Sequence, residues 1–373
     1  MDGIRRLLEY LTQNIVEREE AMRGLVLALG ARQHVLFIGP PGTAKSLAVR
    51  VFAAALDGRP FVILMNPFLT PEDFLGPIDV GGLKQGRYEH VTSGMLPEST
   101  VAFFDEVFKA NATVNNLLLM ILQERCFTNG GRLVKVPLQV AVAASNELPG
   151  EDQRDQAAFA DRFLLRYTVD YVREPQNFER LLATDPDALI RDVPRVSRDE
   201  VEEYQRATDS VGVTGEVLRA LAVIRDECMK AGLVFSDRRY REGLTVVRAN
   251  AALEGRGTAE LCDLDVYRHI LWHEPGQIGT AAKIVMNAVD PYLVEIEEAV
   301  LEAREVARAA LEAPQERSAD AGLEAHKKLK RIGEELEKIC PNTLRGRERL
   351  DSARAEVKRL LGEVLKKCLG LEL

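Results

Sequence analysis

Four short runs of uninterrupted apolar residues mark the first 150 positions: 34–38 (HVLFI), 61–65 (FVILM), 101–104 (VAFF) and 140–144 (VAVAA). A strand with one wet face alternates apolar and polar residues; an unbroken run predicts a strand covered on both faces. Helical stretches separate most of these runs. Residues 1–30 carry Ile4, Leu7, Leu8, Leu11 and Ile15 at helical spacing, and 46–56 and 111–123 read as further helices. Strands alternating with helices predict an α/β domain built on a mainly parallel sheet.

Two segments break the alternation. Residues 76–98 are glycine-rich, with weak strand character on either side of a turn, and 127–137 carry Asn129-Gly130 between strand-like flanks. Both read as β-hairpins inserted into the α/β core. From about 199 to 272 the pattern is helical, with Val217, Leu218, Leu221 and Ile224 on one face. Beyond Tyr292 there is no Phe, Tyr or Trp. Asp290-Pro291 opens a helix there, and Pro314 and Pro341-Asn342 divide the stretch into three helices. In the last, Leu350, Ala353, Val357, Leu361, Val364 and Cys368 step by three and four, a coiled-coil-like seam. The boundaries are drawn at 1–190 (α/β core), 191–280 (all-helical domain) and 281–373 (triple-helix-like C-terminal domain).

The chain has 373 residues, of which 46% are hydrophobic and 29% charged, enough to bury a large core without staples. Lys plus Arg is 49 and Asp plus Glu 58, a net charge of −9, which argues against a general binder of nucleic acid or anionic membrane. No apolar run approaches a membrane span, and the N-terminus lacks the apolar core of a signal peptide. Five scattered cysteines without a CxxC pair fit reduced thiols in cytoplasm.

Candidate chemistry begins at Gly39-Pro40-Pro41-Gly42-Thr43-Ala44-Lys45-Ser46, which follows an apolar strand and opens a helix, the context a P-loop requires. Its backbone N–H groups would cradle phosphate oxygens, Lys45 would reach the β and γ phosphates, and Ser46 would bind Mg²⁺. The consensus has glycine where this chain has Ala44, which fits if its φ is negative. The strand 101–104 ends in Asp105 and Glu106, at the sheet edge where the P-loop also lies. Asp105 would hold Mg²⁺ and Glu106 would deprotonate the attacking water. Asn146, at the tip of the fourth strand, can bond both the γ-phosphate and that water. Arg162, after a polar loop and a short helical stretch, would project toward a neighbouring subunit's γ-phosphate, with Arg166 as second candidate. Ser236-Asp237-Arg238-Arg239 starts a helix in which Ser236 or Asp237 is the cap. An arginine of its first turn, Arg238 in preference to Arg239, would fold over the nucleotide. His34, His269 and His273 read as structural, since no HExxH pattern or third ligand accompanies them.

Together GPPGTAKS, FFDE, Ser145-Asn146, DRFLLR at 161–166, SDRR at 236–239 and PEDFLGPID at 71–79 make the chain resemble the MoxR branch of the AAA+ ATPases, in a RavA-like form, over about residues 1–280. The resemblance implies an αβα core, an all-helical lid and assembly into a ring, usually a hexamer, with ATP at subunit interfaces. It makes Asn146 sensor 1, Arg162 the arginine finger and Arg238 or Arg239 sensor 2. It also implies a chaperone-like remodeller or maturation factor working with a von Willebrand factor A-domain protein. RavA carries a β-rich insertion in its C-terminal helices, whereas this tail reads as helices alone. The expected function is Mg²⁺-dependent ATP hydrolysis coupled to a protein partner. The alternatives are a nucleic-acid-associated motor or a nucleotide-switch scaffold in a phage-defence system. A small-molecule kinase would not need the second hairpin, Arg162 or the lid.

Overall fold

Five parallel strands form the central sheet in the order β2-β3-β6-β1-β7. They are β1 (Val35–Ile38), β2 (Phe61–Leu64), β3 (Val101–Asp105), β6 (Val140–Ser145) and β7 (Leu165–Thr168), with the hairpin strands β4 (Cys126–Asn129) and β5 (Arg132–Lys135) between. The computed structural model describes residues 1–56, 60–148, 156, 159–311, 318–341 and 344–369. Every residue of β1 and β6 is buried, as their apolar runs require of strands covered on both faces. The apolar run of β2 does not follow this expectation: it lies at the sheet edge, and Val62 and Leu64 are exposed. In β1, Val35 pairs with Val142 of β6 and with Leu165 of β7. All five strands run the same way, so the loops after β1, β3 and β6 emerge at one edge.

The fifth strand escapes a search for apolar runs because Arg166 sits inside it, and its register puts that arginine opposite Leu36. The sequence of β4–β5 gives the expected hairpin. Asn129 pairs with Arg132, and the two turn residues are Gly130 (φ +58°) and Gly131 (φ +76°), one position beyond the predicted dipeptide. Two consecutive positive φ values match the twist of antiparallel strands. Segment 76–98 is a loop rather than a second hairpin, closed by one antiparallel bridge between Ile78 and His90. Asp79 accepts from the Gly81 N–H and starts the helical turn Val80–Leu83 where a strand would have begun. The two insertions are clipped together: Asn129 Oδ1 accepts from the His90 N–H (2.7 Å) and its Nδ2 donates to the His90 carbonyl (3.2 Å).

The described chain divides into two units, 1–214 with 235–259 and 269–278, and 215–234 with 260–268 and 279–373. In the first, residues 1–30 form the helices Asp2–Asn14 and Glu19–Ala31. The helix Lys45–Ala55 follows β1, and Ala112–Glu124 is capped by Asn111, whose carboxamide accepts from the Val114 N–H. The same unit holds Arg198–Ser210, with a Ser197/Glu200 capping box, and Asp237–Leu253. A two-residue parallel pair, β8 (Gly212–Val213) with β9 (Thr258–Ala259), joins this otherwise helical part.

In the second unit the helices Pro291–Leu311, Ser318–Lys338 and Leu344–Leu369 pack on their own core. The last contributes Leu350, Ala353, Val357, Leu360 and Val364; Leu361 and Cys368 of the predicted seam are partly buried beside it. No strand occurs among the described residues of this tail, and the predicted breaks at Pro314 and Asn342 lie outside the described residues. Ion pairs join the helices from outside: Arg349–Glu297 (2.6 Å), Arg304–Glu356 (2.7 Å) and Arg331–Glu302 (2.9 Å). The charge runs are therefore the wet faces of a bundle. Among the described residues no helix is long and apolar enough to cross a membrane.

Candidate functional site

The loop after β1 wraps around its own lysine. Lys45 Nζ donates to the carbonyls of Gly39 (2.6 Å) and Pro40 (2.8 Å) and to Asn146 Oδ1 (3.2 Å). Burial lowers the Lys45 pKa, while Asp105 and Glu106 act in the opposite sense. Gly39 admits no side chain, because a Cβ there would lie 1.8 Å from the Val169 carbonyl oxygen. Gly42 has φ +77°, and Thr43 Oγ1 donates to the Pro40 carbonyl. Ala44, expected at negative φ, lies at φ +65° and ψ +17°. The loop needs the left-handed conformation at this point to start the helix, and here an L-residue adopts it against its preference.

β3 and β6 bring the acids and the amide to the same edge. Asn146 Nδ2 donates to Glu106 Oε1 (2.6 Å) while its Oδ1 accepts from Lys45, so one amide links the loop lysine to the glutamate. Glu106 Oε2 lies 3.5 Å from Lys109 Nζ. Glu106 also has a left-handed backbone, φ +53°, and its N–H donates to Asp105 Oδ1 (3.1 Å). Strained backbone of this kind is held only where surrounding bonds over-determine it, and it concentrates at functional sites.

Beside the loop lies a cavity of about 200 Å³ whose floor includes Gly42, Thr43, Ala44 and Leu47 and whose walls include Ile15, Val16, Tyr171, Val172 and Phe178. An apolar slot next to a phosphate cradle has the form a nucleobase requires. Its walls come from two segments more than 150 residues apart in sequence. Neither carries a motif, and periodicity could not have paired them. Around the sheet edge, Ser46 is exposed on the first helical turn and Asp105 ends β3. These hard oxygen donors fit Mg²⁺, which keeps several waters and takes few protein ligands. No cluster of three or more His, Cys, Asp or Glu suited to a metal occurs among the described residues.

The arginines separate sharply. Arg166 is buried in β7, donating to the carbonyls of Trp272 (2.8 Å), Ala160 (3.2 Å) and Phe163, so it is a structural residue rather than a second finger. Burial depresses its pKa well below the usual range, aided by nearby Arg239. Arg239 is 1% exposed and pairs with Asp161 at 2.8 Å. Arg162 and Arg238 instead line one cavity of about 230 Å³, with Arg32, Arg125, His34 and Glu242. Arg238 Nε donates to Glu242 (2.6 Å), whereas Arg162 Nε is buried without a partner among the described residues. Gln33 and His34 precede β1 and the phosphate loop follows it. The arginine cavity therefore lies at the opposite end of a strand that spans roughly 13 Å. Arg238 thus shares a cavity with Arg162 and not with its own phosphate loop. Ser236 is the helix cap, its Oγ accepting from the Arg239 N–H.

The histidines serve the fold. His34 Nδ1 accepts from the Ala141 N–H (3.0 Å), and its Nε2 lies 3.0 Å from the Leu122 carbonyl oxygen and 2.9 Å from Arg125 Nη1. Burial and neighbouring Arg125 depress its pKa well below the usual value. His269 packs against Tyr167 in a tilted pair, and His273 stacks on Phe235.

Comparison with known proteins gives a consistent result. Residues 2–204 match the model of the MoxR domain found in MoxR–vWA–β-propeller ternary systems, and 216–285 match the AAA lid domain. An uncharacterized protein of Methanocaldococcus jannaschii is 32% identical over 79% of this chain and 77% of its own length. Chaperone MoxR1 of Mycobacterium tuberculosis is 31% identical over half of each chain. Protein MoxR of Methylorubrum extorquens is 28% identical over 58% of this chain and 63% of its own. A candidate ATPase of Cytophaga hutchinsonii, 20% identical, shares the fold over 77% of this chain and 93% of its own, with a TM-score of 0.61.

Proposed function

The chain belongs to the MoxR family of AAA+ ATPases, and from that membership we propose that it hydrolyses ATP in a ring of identical subunits, a hexamer by family habit, to remodel or mature a protein partner. Lys45 leaves the Gly39 and Pro40 carbonyls for the β and γ phosphates, and the loop N–H groups from Gly39 to Ser46 hold the remaining oxygens. Ser46 and Asp105 would hold Mg²⁺, which would neutralise phosphate charge. Asn146 gives up Lys45 to the γ-phosphate and turns Glu106 toward the attacking water, from which Glu106 takes the proton. Arg162 and Arg238 stabilise the transferring phosphoryl group of the neighbouring subunit.

The observation that carries this reading is the separation of charges. Lys45, Glu106 and Asn146 meet at one end of β1, and Arg162 and Arg238 share a cavity at the other. One subunit therefore holds two half-sites, and a second copy completes each. Mixing Lys45→Ala with Arg162→Ala subunits tests it. Each alone should be inactive, and the mixture should recover part of the parent rate with activity rising with protein concentration. A fully active, concentration-independent Arg162→Ala protein would refute the ring.

Two features support a protein rather than a nucleic acid as partner: the net charge of −9 and the family description, which names vWA and β-propeller components. We propose a von Willebrand factor A-domain protein as the cofactor. Five scattered cysteines with no CxxC pair agree with a reducing compartment, the cytoplasm.

A further inference from the structure

We infer that buried Arg239 and half-buried Asp161 form a staple that sets the position of both arginines offered to the neighbouring subunit. The inference rests on the trans-arginine reading above. Asp161 precedes Arg162 and Arg239 follows Arg238, so the ion pair joins the residues next to the two half-buried cations that line the cavity. Arg239 Nη1 donates to Asp161 Oδ1 (2.8 Å), Nη2 to the Leu164 carbonyl (2.9 Å) and Nε to the Ile270 carbonyl (2.7 Å). One guanidinium thereby ties the start of the helix Asp237–Leu253 to the segment 161–164 and to residue 270. A planar fork bonded on three sides fixes orientation as well as distance, which a lysine at this position could not do.

Arg166 reinforces the same joint, binding the carbonyls of Ala160 and Trp272 on either side. Asp161 is the counter-ion that both buried guanidiniums share. Neither Arg239 nor Asp161 touches phosphate; they are positioning residues. Their effect should fall on the rate of hydrolysis by the neighbour and not on the subunit's own affinity for ATP.

The test uses the full chain carrying Arg239→Met, with Asp161→Asn as the milder variant that carries the same test if the first fails to fold. ATP affinity, measured with a fluorescent ATP analogue, should stay within about twofold of the parent. kcat should fall by about 100-fold, the scale of a misplacement of roughly 1 Å. Mixed with Lys45→Ala subunits, whose Arg162 and Arg238 are intact, the variant should regain activity, because its own P-loop is sound. A parent-like kcat in a folded variant overturns the staple. So does loss of ATP affinity, or a defect that Lys45→Ala subunits cannot rescue, since either marks a general role in folding. Arg162→Ala is assayed beside it. If that protein is fast, the trans-arginine reading has failed; if it is slow and Arg239→Met is fast, only the staple has.

Discussion

Ala44 is the residue at which this phosphate loop departs from the usual glycine, and the structure says what the departure costs. Its φ of +65° places a Cβ where the backbone resists one, a penalty of roughly 1–2 kcal/mol for an L-residue. Ala44→Gly removes that penalty but frees the unfolded chain, which returns roughly 0.4–1 kcal/mol. The net gain should be about 0.5–1 kcal/mol. At about 2–4 °C per kcal/mol for a domain of this size, the melting temperature should rise by ~1–4 °C. Ala44→Val is the opposing control: a β-branched residue at positive φ is a genuine outlier and should destabilise by more than the glycine stabilises. Calorimetry of the three proteins without nucleotide measures both shifts. Nucleotide binding should survive in the glycine variant, because the loop keeps its shape. A lower melting temperature for Ala44→Gly, or an unchanged one for Ala44→Val, would refute a left-handed residue at this position.

Glu106→Gln keeps the hydrogen bond from Asn146 but cannot accept a proton, so it should bind ATP and stall; hydrolysis at the parent rate would reassign the base. Asn146→Ala breaks the link between Lys45 and Glu106 and should lower kcat far more than ATP affinity, as a split between kcat and KM would record. His34 is neutral when folded because its pKa is depressed. Its contribution to stability is therefore full above the unfolded value of about 6.5 and is lost as pH falls below it, at up to ~1.4 kcal/mol per pH unit. His34→Gln should flatten the fall of melting temperature between pH 7 and pH 5, and an unchanged slope would show that other groups cause it. Removing residues 291–373, whose helices pack on their own core, should leave ATP binding intact and impair coupling to the partner; loss of binding in a folded truncation would assign the tail to the nucleotide site.

The sequence alone determined those parts of this protein that short stretches encode. Four strands were legible because each is a continuous apolar run, although one of them, β2, lies at the sheet edge and is not buried on both faces, and the phosphate loop was legible because strand, glycines, Lys45 and helix are contiguous. The three tail helices were legible through a seam repeated every three or four residues. Even there, one-residue shifts such as Leu360 for Leu361 followed from how the helices meet. What only the tertiary structure decided depends on groups far apart in sequence. The fifth strand hides behind Arg166, which can be buried because carbonyls from residues 160, 163 and 272 converge on it. Arg238 and Arg239 are adjacent and chemically identical, yet one is a buried staple and the other lines an open cavity. The cavity beside the phosphate loop is assembled from residues near 15 and near 172, and the sign of φ at Ala44 from the meeting of β1 with its helix. An arginine's role is set by which carbonyls and carboxylates surround it, and that environment exists only once the chain has folded.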